Sequence, residues 1–187
     1  MEKFLQQMQV SHNYSDYQIK VIRYFILTMA SEISKLIIIF TFFACVGRFT
    51  EGLVCVAALV CLRQSGGGFH CEHYITCLFS SFLLVTAPVF LAELITPNPI
   101  AMAIVIFGCI FIAYKMVPVV SYHRPKPTKE LIEKSRRVNF TFLALCLVAV
   151  TVFYTNHYIV IIFWLCVLHS AQLLITNLDK GGKYYVI

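Results

Sequence analysis

Six apolar stretches divide the chain, each closed by a short polar interval. The first lies in the back half of Tyr24 to Val46. The second, Leu53 to Leu62, is short. The third runs from Tyr74 to Ile95, the fourth from Ile100 to Val120, the fifth from Val138 to Tyr154 and the sixth from Tyr158 to Ile175. A helix needs about 20 apolar residues to cross a bilayer. The third and fourth meet that length, and the fifth and sixth fall at its short end. The second has only about ten strongly apolar residues against that requirement, so it must be re-entrant or borrow its flanks. An open sheet cannot satisfy its backbone in lipid, so helices are expected throughout. The pattern predicts an all-α polytopic membrane protein with six helical segments, forming a single membrane domain over residues 1–187.

Residues 1–20, MEKFLQQMQVSHNYSDYQIK, are more polar. They lack the apolar core of a cleavable signal peptide. Phe4, Leu5 and Met8 share a helical face that Gln6, Gln7 and Gln9 largely avoid, which predicts an interfacial helix.

Composition sharpens the membrane reading. Of the 187 residues, 59% are hydrophobic and 13% charged, whereas soluble domains average about 45–50% apolar and 25% charged. Mean hydropathy is +0.79. The eight cysteines lie mostly inside apolar runs, where cysteine acts as a small hydrophobe, and do not form a secreted disulfide framework.

The net charge of +6 is unevenly placed. HRPKPTKELIEKSRR, within a basic loop spanning 121–137, carries six Lys and Arg residues against Glu130 and Glu133. The positive-inside rule puts this loop in the cytoplasm. Alternation then puts TPNP (96–99) and TNH (155–157) outside and both termini inside. Arg48 alone among the basic residues falls outside. Segment 63–77 lies on the cytoplasmic side, at the mouth of the third span.

That segment ends in GGGFHCEHYITC, Gly66 to Cys77, which gathers two histidines, two cysteines and a glutamate. Cys77 falls about one turn into the third span. A helix N-terminus and a neighbouring imidazole both favour the thiolate, and cysteine with histidine is a minimal nucleophile–base pair. His73 is four residues from Cys77 and shares its helix face. His70 is seven away and reaches it only if the preceding chain folds back, a reversal that Gly66, Gly67 and Gly68 permit. The residues leave both geometries open. Glu72 either orients a histidine or favours the helix start. His70, Cys71, His73 and Cys77 are also zinc-ligand types, but their spacing matches no common zinc pattern, and no metal is expected. Arg63 either contacts substrate and orients the loop or snorkels from the end of the second span. Glu32 and Lys35 are expected to pair within the first span, and Glu93 and Lys115 to snorkel near span ends.

The arrangement R-x3-G-G-x-H-x6-C, made here by Arg63, Gly67, Gly68, His70 and Cys77, resembles the motif of the accessory gene regulator B (AgrB) family, membrane cysteine endopeptidases of Gram-positive quorum sensing. The resemblance extends to the polar N-terminal segment, Glu32 in the first span and RPKPTKE before the last two spans. It implies His70 as base and Cys77 as nucleophile, with no cofactor. It also implies a bacterial cell-membrane location. The implied substrate is a short precursor peptide with an amphipathic helix, a signal segment containing cysteine or serine, and an acidic tail. The expected outcome is tail cleavage and ring closure to a thiolactone or lactone through a thioester on Cys77. CEH, Cys71 to His73, departs from the family motif and offers a second histidine. The basic loop would attract the acidic tail or bind anionic lipid. Membrane lipid is a further partner, self-association is compatible with the size of the chain, and no nucleic acid is expected.

Three other readings compete. A peptide transporter predicts ionisable residues deep in several spans and repeat symmetry. A His/Cys metal-binding membrane protein predicts bound zinc. An assembly partner without chemistry predicts that Cys77→Ala is silent.

Overall fold

A computed structural model describes residues 14–67, 74–121, 128–178 and 184–186, with side chains outside 119–121, 177–178 and 184–186. The described residues form six long helices and one short two-stranded ribbon: α1 Asp16–Cys45, α2 Phe49–Gly66, α3 Tyr74–Leu94, α4 Pro99–Met116, β1 Val119–Ser121, α5 Lys129–Val152, α6 His157–Leu178 and β2 Tyr184–Val186. All six helices are long and apolar enough to cross a membrane. The fold class follows the expectation, with the ribbon as an addition to it.

Local signals set the helix starts. Ser15 Oγ accepts from Gln18 N at 3.3 Å while Gln18 Oε1 accepts from Ser15 N at 2.9 Å, a reciprocal capping box. α1 therefore begins at Asp16, so residues 16–20 belong to this long helix rather than to a separate interfacial one. The rest of that expected element, residues 1–13, lies outside the described residues. Asn98 Oδ1 accepts from Ala101 N at 2.7 Å, and Pro99 fills the first helical position of α4, where a missing N–H is harmless.

Two expected boundaries change. α2 has 18 residues where about ten were strongly apolar, so it borrows its flanks on both sides. The basic stretch 121–137 is not loop throughout. Thr128 Oγ1 accepts from Leu131 N at 3.4 Å and starts α5 at Lys129, with Glu130 in the first turn. Its last nine residues thus form the opening turns of a helix.

Two compact units divide the chain, Met1–Phe42 and Phe43–Ile187. Within the first, Lys35 Nζ lies 2.6 Å from Glu32 Oε1, the expected pair. In the second, α6 is the hub, packing against α2, α3, α4 and α5. The pattern of burial is that of a membrane bundle. Phe79 and Ile104 face outward, each 67% exposed, while Ser65, Ser81, Asn139 and His169 are buried. Apolar residues can face lipid freely, whereas polar side chains in the spans turn inward.

At one end of the bundle, Gly47 takes a φ of 74° between α1 and α2, a left-handed value suited to glycine. Nearby, Arg48 and Glu93 form an ion pair, and Arg48 lies 5.6 Å from the centre of the Phe90 ring. Glu93 is therefore held by a partner rather than simply snorkelling. At the other end, β1 pairs antiparallel with β2, Val120 opposite Tyr185. This ribbon puts the α4–α5 connection and the C-terminal segment on the same side, as two intervening crossings require.

Candidate functional site

α2 ends at Gly66, and Gly67 follows with a φ of 76°. A left-handed residue stops the helix and turns the chain away, and glycine does so without a Cβ penalty. Gly67 N–H still donates to Arg63 O at 3.1 Å, closing the last turn. Gly68, His70, Cys71, Glu72 and His73 lie outside the described residues, so the two geometries offered for the base both fall there, as does the zinc reading of the cluster.

The chain is described again from Tyr74, the first helical residue of α3. Cys77 stands in the first described turn and is 5% exposed. The N–H groups of such a first turn and the helix dipole favour a developing thiolate. Ser81 is one turn deeper on the same face and equally buried. Arg63 Nη1 donates to Ser81 Oγ at 3.3 Å. Arg63 thus turns from the end of α2 onto the α3 face that carries Cys77.

Behind this contact lies a group of polar side chains that the motif does not contain. Asn139 of α5 donates through Nδ2 to Ser65 Oγ at 3.2 Å. Ser65 Oγ in turn donates to its own helix at Cys61 O, 3.0 Å away. His169 of α6 is 2% exposed, as is Asn139. Both abut Gly66: a Cβ on that residue would stand 3.0 Å from Asn139 Nδ2 and 3.1 Å from His169 Nε2. A Cβ on Gly66 would therefore oblige both side chains to give way by a few tenths of an ångström. Asn139 also lines a cavity of about 260 Å³ with Ala113, Tyr114, Val117, Arg136, Arg137 and Phe140. Arg136 is fixed at its edge, donating through Nε to Val117 O at 2.8 Å. The first turns of the basic helix thus border the end of α2.

Sequence reasoning singled out Arg63 and Cys77 but passed over Ser81, Asn139 and His169. A signal existed for the last. WLCVLHSAQ places a histidine and a glutamine inside an apolar span, where a polar side chain needs a reason to be.

The sequence profile of the family described as Accessory gene regulator B matches residues 1–173. The chain belongs to the accessory gene regulator B family. A protein of Clostridium perfringens (strain 13 / Type A) named as AgrB-like is 22% identical over 163 residues, covering 87% of this chain and 84% of that protein. No solved structure matches the chain. Membership supports a general role in quorum-sensing peptide processing, and the six spanning helices make this AgrB family member a multi-pass membrane protein.

Proposed function

We propose that this AgrB family member is a membrane-embedded cysteine endopeptidase that removes the C-terminal tail of a short quorum-sensing precursor and closes the remainder into a thiolactone or lactone. The observation that carries the reading is the setting of Cys77. It is buried in the first described turn of α3, on the face that continues to Ser81 and Arg63. It also stands in register with Arg63, Gly67, Gly68 and His70 in the family motif.

In this reading His70 takes the proton of the Cys77 thiol. The thiolate bonds to the carbonyl carbon at the signal–tail junction, and the C–N bond breaks. The tail leaves as an amine, carrying the proton from His70. The signal segment is then a thioester on Cys77. The precursor's own cysteine or serine attacks that carbonyl, passing its proton through His70 to the departing Cys77 sulfur, and the ring is released. Enclosure at the bilayer surface keeps water from the thioester. Backbone N–H groups at the start of α3 are the candidates to hold the oxyanion. Arg63 orients the loop and Glu72 supports the helix start, with His73 as a neighbouring imidazole.

The catalytic segment faces the cytoplasm with both termini, because the basic residues gather on that side. The precursor's acidic tail meets the basic turns of α5, and its amphipathic helix lies on the membrane.

The test is co-expression with a precursor of this architecture, followed by mass measurement of the products. Cleavage is lost in Cys77→Ala and His70→Ala and persists in His73→Ala and Cys71→Ala. Cleavage by a normally inserted Cys77→Ala protein overturns the assignment.

A further inference from the structure

Among the described residues, four buried side-chain atoms lack a hydrogen-bond partner: Asn139 Oδ1, His169 Nδ1, His169 Nε2 and Gln172 Oε1. They sit on three residues of two neighbouring helices. Buried and half-buried hydroxyls elsewhere in the bundle find partners, several of them on their own helix. Thr176 Oγ1 donates to Leu173 O at 2.8 Å, and Thr86 Oγ1 to Phe82 O at 2.6 Å. Nearly all buried polar groups in folded proteins find partners, so a cluster of exceptions asks for an explanation.

Asn139 and His169 converge on one point, and Gln172 lies one turn along α6 from it. His169 and Gln172 are three apart on α6 and share a face. His169 and Asn139 meet at Gly66, the last residue of α2 before the segment leading to His70. Arg63 is one turn before Gly66 on α2 and is bonded to the Cys77 face through Ser81. Asn139 is shared with the 260 Å³ cavity that opens between α4 and α5. The polar cluster therefore adjoins Gly66, at the end of α2, on one side and a cavity on the other.

Its chemistry selects the ligand class. Asn139 Oδ1 and Gln172 Oε1 accept hydrogen bonds, so the pair calls for a ligand that brings N–H groups. One imidazole with two amide oxygens is not a zinc set. A neutral imidazole offers one donor and one acceptor. A peptide unit donates, accepts and is uncharged, so it matches this cluster of acceptors and one amphoteric ring.

We infer that this cluster binds main-chain amides of the peptide substrate, with Asn139 Oδ1 and Gln172 Oε1 accepting from peptide N–H groups and His169 bonding an adjoining peptide unit. The inference rests on the peptidase reading and adds to it the place where the chain beside the scissile bond is held. The three are binding residues and take no proton from the reaction.

The test uses the full-length protein in proteoliposomes and a synthetic peptide with an amphipathic helix, a cysteine-containing signal segment and an acidic tail. Single backbone esters replace successive amides near the cleavage site, deleting one N–H each. In the wild type one of these esters raises KM about tenfold with kcat little changed, the size expected for a lost buried hydrogen bond. Asn139→Leu raises KM similarly, and the same ester then adds nothing. Gln172→Leu, at a half-buried position, and His169→Gln, which keeps hydrogen-bonding capacity, provide readings should Asn139→Leu fail to fold. Gln172→Leu is expected to couple to a neighbouring ester, and His169→Gln to retain most of the affinity that His169→Leu loses. Unchanged KM in the leucine variants, or ester effects that add independently in all of them, means the cluster is met by water only and overturns the inference. Absence of cleavage by the wild type, or cleavage by Cys77→Ala, instead counts against the peptidase reading.

Discussion

The Arg63 guanidinium reaches from the last turn of α2 to Ser81 Oγ, 3.3 Å away and one turn beyond Cys77 on the same face of α3. A cation that could have extended to the membrane surface is instead turned inward. It couples the end of one helix to the start of the next across the candidate catalytic segment. A hydrogen bond with a charged partner is worth about 1.5–3 kcal/mol net, enough to hold this geometry. Arg63→Ala is expected to lower cleavage of the precursor at least about tenfold, in line with that loss. Ser81→Ala, which leaves the guanidinium in place, is expected to lower it less. Lysine at position 63 restores only part of the activity, because an ammonium lacks the planar fork. Cleavage rates normalised to inserted protein decide this; a full rescue by lysine would mean that charge alone matters.

Gly66 and Gly108 give opposite expectations for the same substitution. A Cβ at Gly66 would lie 3.0 Å from Asn139 and 3.1 Å from His169, whereas at Gly108 nothing lies within 4 Å. Gly66→Ala is therefore expected to destabilise by about 1–3 kcal/mol, as overpacking does, and to displace the chain leading to His70. Gly108→Ala should be neutral or stabilise by up to about 1 kcal/mol through helix propensity. Thermal unfolding in detergent, read beside precursor cleavage, separates the two. Equal behaviour would mean the contacts at Gly66 are slack.

Gly52 faces Phe43, which is fully buried; a Cβ there would come within 2.6 Å of the ring. Gly52→Ala should lower the unfolding temperature, and Phe43→Leu in the same protein should recover part of the loss by making room. The two residues are in contact, so their effects will not add. A double variant as unstable as the sum of the singles would show that the clash relaxes elsewhere.

The topology can be read by labelling. Thr96 and Glu130 are both exposed, at opposite ends of α4 and its following connection. In whole cells, Thr96→Cys should react with a membrane-impermeant thiol reagent and Glu130→Cys only after permeabilisation. The reverse pattern would put the basic helix and the candidate catalytic segment outside, against the positive-inside expectation.

Much was legible in the chain itself. Hydropathy counts residues along one dimension, and six crossings follow from apolar runs long enough to leave water. The helix starts were carried by Ser15 with Gln18, Asn98 with Pro99, and Thr128, each acting within three residues. The candidate nucleophile stood out because Gly67, Gly68, His70 and Cys77 are neighbours in sequence. What the chain did not disclose was which face of each span turns inward. In lipid both faces of a helix can be apolar, so little asymmetry marks the buried side. Ser81, Asn139 and His169 lie on three different helices, and nothing in their sequence spacing links them. Only packing around α6 brings Asn139 and His169 to Gly66 and turns Arg63 toward Ser81. Local propensity and hydropathy thus determined the spans and the candidate chemistry. The surroundings of that chemistry were decided by contacts between helices far apart in the chain, where close approach at a glycine and the need to shelter polar groups from lipid select one arrangement.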